Sequence, residues 1–294
     1  MKALAQQARG ASHEFRSEVR ERLALGARIA DEMVGEIEGT RLVELAQALI
    51  QNVVRHLYGR SIDLRLLAAD AEIVAATIDP SPENLAAAQA RLALLTETSP
   101  YYVNAFIADP EGRVIALSNP HARVRQTNLA TAPQFMKAMA SYRTEEWFTD
   151  EVWQNPWSDH RAVLVFVTGI RARGATGHPA GVFYLEFDWE GHIAAMISDR
   201  SLFSEADRAR TRICIVDQAD RIVADSAGGR FGEVVPLPAN AVRGAEAIGD
   251  SIVAFATAAD YHGFDGLGLR CIIEQKTLSA REIEDALGGL HARR

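Results

Sequence analysis

Apolar residues recur at helical spacing over the N-terminal part of the chain. Their steps of three or four residues predict a long helix with one apolar stripe on a charged surface. The stripe runs through Phe15, Val19, Leu23, Ala27, Ala30 and Val34 and, after Gly35 and Gly39, through Leu42, Leu45, Leu49, Val53 and Leu57. Such a stripe either docks on the chain's own sheet or pairs with the same helix of a second subunit, with Leu45 and Leu49 in the seam. The spacing fits both alternatives equally well.

Two shorter helices are predicted next. Residues 61–78 favour a second helix that begins after a break at Gly59, with Ser61 as its N-cap. A third helix is predicted from Pro82 to about Thr96, because a serine cap, a proline at the first helical position and an early acid stand together there.

The clearest strand signal is the stretch 101–118, which reads YYVNAFIADPEGRVIALS. Two β-rich runs flank the turn 109–112, whose Asp, Pro and Gly occupy the positions that a type I turn prefers. The same pattern returns at 214–226. The residues in register are Ile107 and Ile215, Asp109 and Asp217, Arg113 and Arg221, Ala116 and Ala224, and Ser118 and Ser226. The chain therefore contains one strand-turn-strand unit twice.

The remaining elements follow each hairpin in a similar order. After the first come a loop at 119–131, a short helix at 133–140, a tryptophan-rich segment, strands at 161–170 and 180–188, and a helix at 189–198. After the second come a polar loop to about residue 250, strands at 251–257 and 267–274, and a terminal helix at 279–291. Antiparallel sheets with helices at their edges predict an α+β fold.

The charge and composition of the chain limit the kinds of molecule it is expected to bind. The net charge of −8 and the lack of a Lys and Arg cluster argue against a nucleic-acid-binding protein. No stretch reaches the roughly 18 apolar residues of a membrane span, and the N-terminus lacks the apolar core of a secretory signal. We expect a cytoplasmic chain, or an extracytoplasmic one if it is the sensing part of a membrane receptor.

Cysteines and histidines give no catalytic or metal signature. Cys214 and Cys271 lie in strand-like surroundings and are either two buried thiols or a disulfide. The histidines lack the spacing of a zinc site. A haem or metal held through His160, His178 or His192 is the remaining alternative, and lone histidines are more often surface or core residues. We expect no enzyme activity, no cofactor and no metal.

The tryptophan-rich segment supplies the candidate binding site. Trp147, Phe148, Trp153 and Trp157 lie in a predicted loop together with Asp150. Aromatic walls with a few fixed polar groups are typical of small-molecule pockets, and loops on a rigid sheet carry many binding sites. The alternative is that the rings cover the sheet as a small core. A pocket predicts a cavity among the rings, whereas a small core predicts that they pack solidly.

Several segments of the chain occur in a characteristic order. They are the long entry helix, SIDLRLLAADAEI, FIADPEGRVIALS, GVFYLEFDWEGHI, IVDQADRIVADS and FDGLGLRCIIEQKTLSAREIEDAL. In this order they resemble a double Cache domain, the ligand-binding input domain of many bacterial chemoreceptors, sensor kinases and cyclic-dinucleotide enzymes. The resemblance implies a long N-terminal helix followed by two PAS-like antiparallel-sheet modules. It divides the chain into three parts: a helical stalk with further helices at 1–100, a membrane-distal-type module with the ligand pocket at 101–200, and a membrane-proximal-type module with a C-terminal helix at 201–294.

The resemblance also implies site residues. Residues 148–150 look like the family's Tyr-x-Asp, and Asp188 looks like its amine-holding acid, although Asp188 could equally be the N-cap of the helix that follows. The Arg-x-Trp-Tyr cluster of amine-recognising members is replaced at 132–135 by Ala-Pro-Gln-Phe, so the carboxylate-clamping arginine is missing. The candidate ligand-binding residues are Gln134, Phe135, Trp147, Phe148, Asp150, Trp153, Trp157, Tyr184 and Asp188.

Together these observations predict a bacterial signal-transduction sensor. With acids and aromatic faces but no carboxylate clamp, the site should prefer a cationic or neutral, ring-containing small molecule. The chain shows neither a flanking membrane helix nor an output domain, which predicts a stand-alone sensor or the sensing part of one. The alternative is a ligand-free structural module that kept the fold and dimerises through its N-terminal helix.

Overall fold

The computed structural model describes residues 2–119, 121–172, 176–199, 201–237 and 241–278, with the backbone alone at 2–19, 27, 30 and 31. The helices are α1 (Lys2–Ala68), α2 (Ala71–Ile78), α3 (Pro82–Thr98), α4 (Pro133–Ala140), α5 (Trp189–Ile197) and α6 (Glu205–Ala209). The strands are β1 (Tyr102–Ala108), β2 (Val114–Leu117), β3 (Trp153–Asn155), β4 (Arg161–Ile170), β5 (Gly181–Asp188), β6 (Thr211–Val216), β7 (Ile222–Asp225), β8 (Arg243–Ile248), β9 (Ser251–Thr257) and β10 (Arg270–Lys276). No helix in these ranges is long and apolar enough to cross a membrane.

Helix α1 runs unbroken through Gly59, so the predicted break there is wrong. A mid-helix glycine costs about 1 kcal/mol relative to alanine. Leu57 and Leu64 are fully buried on either side of it, and this packing outweighs the cost. Ser61 is therefore not an N-cap, and its hydroxyl donates to the carbonyl of Tyr58 at 2.7 Å. The second helix begins instead after Asp70, whose side chain caps it.

Helix α3 confirms its predicted start. Ser81 is the N-cap, its hydroxyl accepting from the amide of Asn84, and Pro82 occupies the first turn. The helix continues two residues past the predicted end, to Thr98. A local signal was sufficient at this position because the cap and the proline together define where a helix can begin.

The apolar stripe of α1 divides between two environments. Its later positions are buried against the body of the protein, among them Leu42, Leu49 and Val53. Its earlier positions are exposed, with Leu23 at 68% and Val34 at 66%. The side chains of Phe15, Val19, Ala27 and Ala30 lie outside the described residues. Core docking is thus correct for the C-terminal part of the stripe, whereas Leu23 and Val34 are exposed to solvent.

Two five-stranded antiparallel sheets follow α1, which confirms the α+β prediction and the internal repeat. The strand order is β2-β1-β5-β4-β3 in the first sheet and β7-β6-β10-β9-β8 in the second. Each sheet thus begins with its hairpin, places its last strand at the centre and ends with its third strand at the edge. Equivalent strands in the two halves have the same neighbours.

The two hairpin turns are built by the same contacts. One oxygen of Asp109 accepts from the amides of Glu111 and Arg113, and the other accepts from Arg113 Nε at 2.7 Å. Asp217 makes the same contacts to the second turn, and Arg221 Nε reaches it at 2.7 Å. The register pairs of the sequence are therefore structural equivalents.

Several boundaries differ from the sequence predictions. Strand β3 and strand β8 lie in segments that were predicted as loops, because one has only three residues and the other is rich in Gly and Ala, which disfavour strands. Strand β10 starts three residues late, since Leu267 adopts φ 59° in a short 3-10 turn. Helix α6 was not predicted. The predicted helix at 279–291 lies outside the described residues.

The core joins the two modules. One hydrophobic cluster extends from α1 across the inner faces of both sheets. The indole Nε1 of Trp189 in the first module donates to the carbonyl of Val223 in the second at 2.7 Å.

The two cysteines are free and buried. In the ladder Cys214 faces Ile272 and Cys271 faces Ile215, so the two side chains point to opposite faces of the sheet. The disulfide alternative is therefore wrong, since two such thiols cannot approach each other.

Candidate functional site

The first sheet has two buried faces, and most candidate residues lie on one of them. Along β5, Phe183 and Phe187 belong to the cluster beneath α1, whereas Val182 and Tyr184 belong to a second cluster on the opposite side. We call this opposite side the outer face. It is covered by α4, by residues of the loop after β2 and by the segment 147–155.

The structure brings together five of the predicted residues at the outer face. They are Phe135, Phe148, Trp153, Trp157 and Tyr184. Tyr184 stacks on Phe106 with ring centroids 4.6 Å apart, and Trp153 meets Trp157 edge to face at 5.8 Å.

Gln134 and Asp150 join the same site as a hydrogen-bonded pair. Gln134 Nε2 donates to Asp150 Oδ1 at 2.7 Å, which links α4 to the segment 147–155. Burial raises the pKa of the Asp150 carboxyl, against the lowering effect of this hydrogen bond. The pair provides a half-buried acceptor beside the rings.

Trp147 does not reach the outer face. Its ring packs against Phe166 at 5.9 Å and against Phe264 of the second module at 5.3 Å. Its neighbour Phe148 is fixed by backbone hydrogen bonds to Val167 at 2.8 and 2.9 Å. Because side chains alternate along an extended chain, Trp147 must then point to the opposite side.

Asp188 is the N-cap of α5. Its Oδ1 accepts from the amide of Gly191 at 3.0 Å, and its Oδ2 accepts from Arg161 Nη2 at 2.6 Å. Both carboxylate oxygens are therefore engaged by the protein. Of the two roles considered for Asp188, ligand contact and helix N-cap, its contacts in this structure are those of an N-cap.

The outer face carries one acid that sequence reasoning missed, Glu186. Its side chain is fully buried, and it accepts hydrogen bonds from Asn155 Nδ2 at 3.0 Å and from Ser158 Oγ at 2.6 Å. Burial raises the pKa of this carboxyl to about 7, against the lowering effect of the two hydrogen bonds. Among the described residues no Lys, Arg or His pairs with it.

Two further polar groups on the outer face are buried without a partner among the described residues. They are the hydroxyl of Tyr184 and Nδ2 of Asn104, which faces Glu186 across the strand pair. Oδ1 of Asn104 accepts a hydrogen bond from Ser118 Oγ at 2.9 Å, so Nδ2 is the group of this side chain that lacks a partner among the described residues. Unpaired buried polar groups are rare in folded proteins and cost free energy.

A cavity of about 420 Å³ lies at this end of the outer face. Asn104 and Ser158 line it, so Glu186 stands one side chain behind its wall. Trp157, Arg123 and Arg161 line it as well. The sequence left two alternatives for the aromatic residues, a pocket and a small core, and each describes part of the region. Phe135 and Tyr184 are packed in the cluster, whereas Trp157 borders the cavity.

The signal for Glu186 was present in the sequence. It is the one charged residue inside the apolar run 181–187, and period-two alternation places it on the same face as Tyr184. Burial without a counter-charge is a property of the tertiary structure, and no local pattern reports it.

The histidines His160 and His192, candidates for a haem or metal, have other surroundings in the described part of the chain. No group of three or more His, Cys, Asp or Glu side chains with the geometry of a metal site occurs in the described ranges. His192 stacks on His56 at 4.5 Å instead, and His160 stands at a left-handed position with φ 61°. These contacts account for the two side chains by packing and turn geometry.

No protein-family model matches the chain, and no curated protein matches it. Solved structures do resemble it. The sensor domain of the Vibrio cholerae histidine kinase DctB has 13% identity and a TM-score of 0.57, covering 82% of this chain and 99% of that one. The ligand-binding domain of the Pseudomonas aeruginosa amino acid chemoreceptor PctC, in complex with GABA, has 14% identity and a TM-score of 0.60, covering 81% and 99%. The corresponding domain of the Pseudomonas fluorescens chemoreceptor CtaA, in complex with L-leucine, has 14% identity and a TM-score of 0.57, covering 81% and 94%.

At this level of identity the likeness is one of fold. It extends over nearly the whole length of these sensor and ligand-binding domains. This agrees with the fold that the sequence resemblance implied.

Proposed function

We propose that this chain, which has the double Cache fold, is a small-molecule-binding sensor domain of bacterial signal transduction, with its ligand bound in the first module at 101–200. The observation that carries the proposal is Glu186, a fully buried carboxylate without a cationic partner in the described part of the chain. A buried charge is costly unless it is paired. A fold that retains one beside a cavity is arranged for a partner that arrives from outside.

The ligand class follows from this charge. A ligand ammonium near Glu186 would supply the missing counter-charge, and a carbonyl or hydroxyl could accept from Asn104 Nδ2. The rings of Trp153 and Trp157 suit a cation or a flat apolar group. The cationic or neutral, ring-containing ligand predicted from the sequence is retained in this proposal, with the acid reassigned from Asp188 to Glu186. L-Leucine and GABA, bound by CtaA and PctC, both carry an amine.

Assembly is the second part of the proposal. Val34 and Ile37, each 66% exposed, continue the apolar stripe of α1 beyond the body of the protein. A second copy of α1 would cover them, as apolar stripes in paired helices do. Leu45 and Leu49, the seam positions suggested by the sequence, pack against the body instead. In a membrane receptor the domain would lie outside the cytoplasm, and as a separate chain it would be cytoplasmic.

Thermal shift with a panel of small primary and quaternary amines tests the ligand proposal, with matched carboxylic acids and sugars as controls. A ligand that binds only the folded state raises the melting temperature by mass action. We expect amines to raise it for the wild type and not for Glu186→Gln. A Met139→Ala variant, which removes an outer-face side chain that is not a candidate ligand contact, controls for general damage and should respond as the wild type does. The proposal is wrong if no amine shifts the wild type, or if Glu186→Gln responds as the wild type does; the first result would favour a ligand-free structural module.

A further inference from the structure

We propose that the segment 147–155 couples the outer face of the first module to the second module and, through it, to α1. This inference names the regulation of the proposed ligand site and rests on that function. Side chains of this one segment lie on both sides of the first sheet.

Four side chains of the segment reach the outer face. Phe148 and Trp153 pack in its apolar cluster. Asp150 accepts from Gln134 on α4 at 2.7 Å, and Asn155 donates to the buried Glu186 at 3.0 Å. Displacement of any of these four contacts therefore acts directly on the segment.

Four other side chains of the segment reach towards the second module. Trp147 packs on Phe264 at 5.3 Å, and Val152 is buried in the cluster shared by both modules. Glu151 Oε2 accepts from Arg221 Nη2 at 2.9 Å. Gln154 lines a narrow cleft against Val223. The two sets lie on the same short stretch of backbone, so we expect a shift of one set to displace the other.

Phe264 belongs to a loop at 258–269 that is seated on α1. The amide of Ala259 donates to Gln51 Oε1 at 3.3 Å, and Gln51 Nε2 donates back to the carbonyl of Ala259 at 3.4 Å. The ring of Tyr261 meets Tyr58 at 5.4 Å. A chain of packed side chains thus runs from the outer face through Trp147 and Phe264 to α1. Packed networks of this kind carry coupling between sites, and only a measured coupling establishes it.

Amide hydrogen exchange on the full chain tests the coupling without a ligand. The perturbation is Phe148→Ala, which removes a side chain from the outer face alone. The readout is exchange in the loop 258–269, where the amides of Tyr261 and Phe264 donate to each other's carbonyls. We expect about 2- to 30-fold faster exchange there, and no further increase when Phe148→Ala is added to Trp147→Ala.

Met139→Ala is the matched control, because Met139 packs in the same outer-face cluster from α4 and does not belong to the segment. It should leave the loop at 258–269 unchanged. Equal effects of Phe148→Ala and Met139→Ala would indicate general loosening and overturn the proposal, as would an unchanged loop in Phe148→Ala. If Phe148→Ala does not fold, Phe148→Leu is judged by the same outcomes. Since no ligand is used, this result is independent of the amine screen: coupling can fail while Glu186-dependent binding stands, and the reverse.

Discussion

Glu186→Gln should change how the stability of this protein depends on pH. The carboxyl has an ordinary pKa of 4.5 and a pKa of about 7 in the folded state. A raised folded pKa means that the wild type has its full stability below about pH 4.5 and loses part of it as the pH rises towards 7. At about 1.4 kcal/mol per pKa unit, the loss is about 3 kcal/mol. Glutamine does not titrate and should show no such loss.

Near pH 4.5 the Glu186 carboxyl is protonated, so there the variant is compared with a wild type whose side chain is also neutral. Asn155 and Ser158 both donate to the carboxylate, and glutamine offers one acceptor oxygen where glutamate offers two. We therefore expect the variant to be about 1 kcal/mol less stable than the wild type near pH 4.5. By pH 8 it should be about 2 kcal/mol more stable, because the cost of the buried charge is gone.

Urea unfolding at several pH values between 4.5 and 8, at fixed protein concentration, measures both curves. Other titrating groups contribute equally to the two proteins and cancel in the difference. Glu111→Gln is the control, since that acid lies exposed in the first hairpin turn and should change stability by no more than about 0.5 kcal/mol at any pH. Parallel curves for wild type and Glu186→Gln would refute the assignment of Glu186 as an unpaired buried carboxylate.

Two other predictions concern the turn and the assembly. Gly112→Ala should destabilise the first module more than Gly228→Ala destabilises the second. Both glycines have a positive φ, 77° at Gly112 and 74° at Gly228. A Cβ at Gly112 would lie 2.2 Å from the backbone nitrogen of Ala130, whereas a Cβ at Gly228 would meet no described atom within 4 Å. Chemical denaturation should show a difference of about 1–3 kcal/mol between the two variants, and equal losses would contradict the clash. Val34→Glu combined with Ile37→Glu should convert a dimer to a folded monomer in sedimentation, with Ile248→Glu on the second sheet as the exposed apolar control. A wild type that is already monomeric at high concentration would exclude the α1 seam.

Local chemistry determined a large part of this fold. The two hairpins could be read from the sequence because each turn is closed by its own aspartate and arginine, within five residues of chain. The start of α3 follows from its serine cap and its proline, and α4 also begins at a proline; both signals act over one helical turn. Repetition of one hairpin in register then implied two similar sheets, and the structure has them.

Tertiary packing decided the rest. The break predicted at Gly59 is absent because burial of Leu57 and Leu64 is worth more than the local cost of a glycine. Trp147 left the predicted site because the backbone pairing of Phe148 sets which side each residue faces. These outcomes depend on residues far away in the chain, so a local pattern could not fix them.

The candidate site shows the same division. The sequence placed its aromatic residues and Asp150 in the first module, and the structure gathers most of them on one face. It could not show that Asp188 is engaged by Arg161 and its own helix, or that Glu186 is buried without a cationic partner among the described residues. The reason is physical: an aromatic side chain is recognised by what it is, whereas the role of a carboxylate depends on which charges and hydrogen-bond donors the folded chain brings within a few ångströms of it.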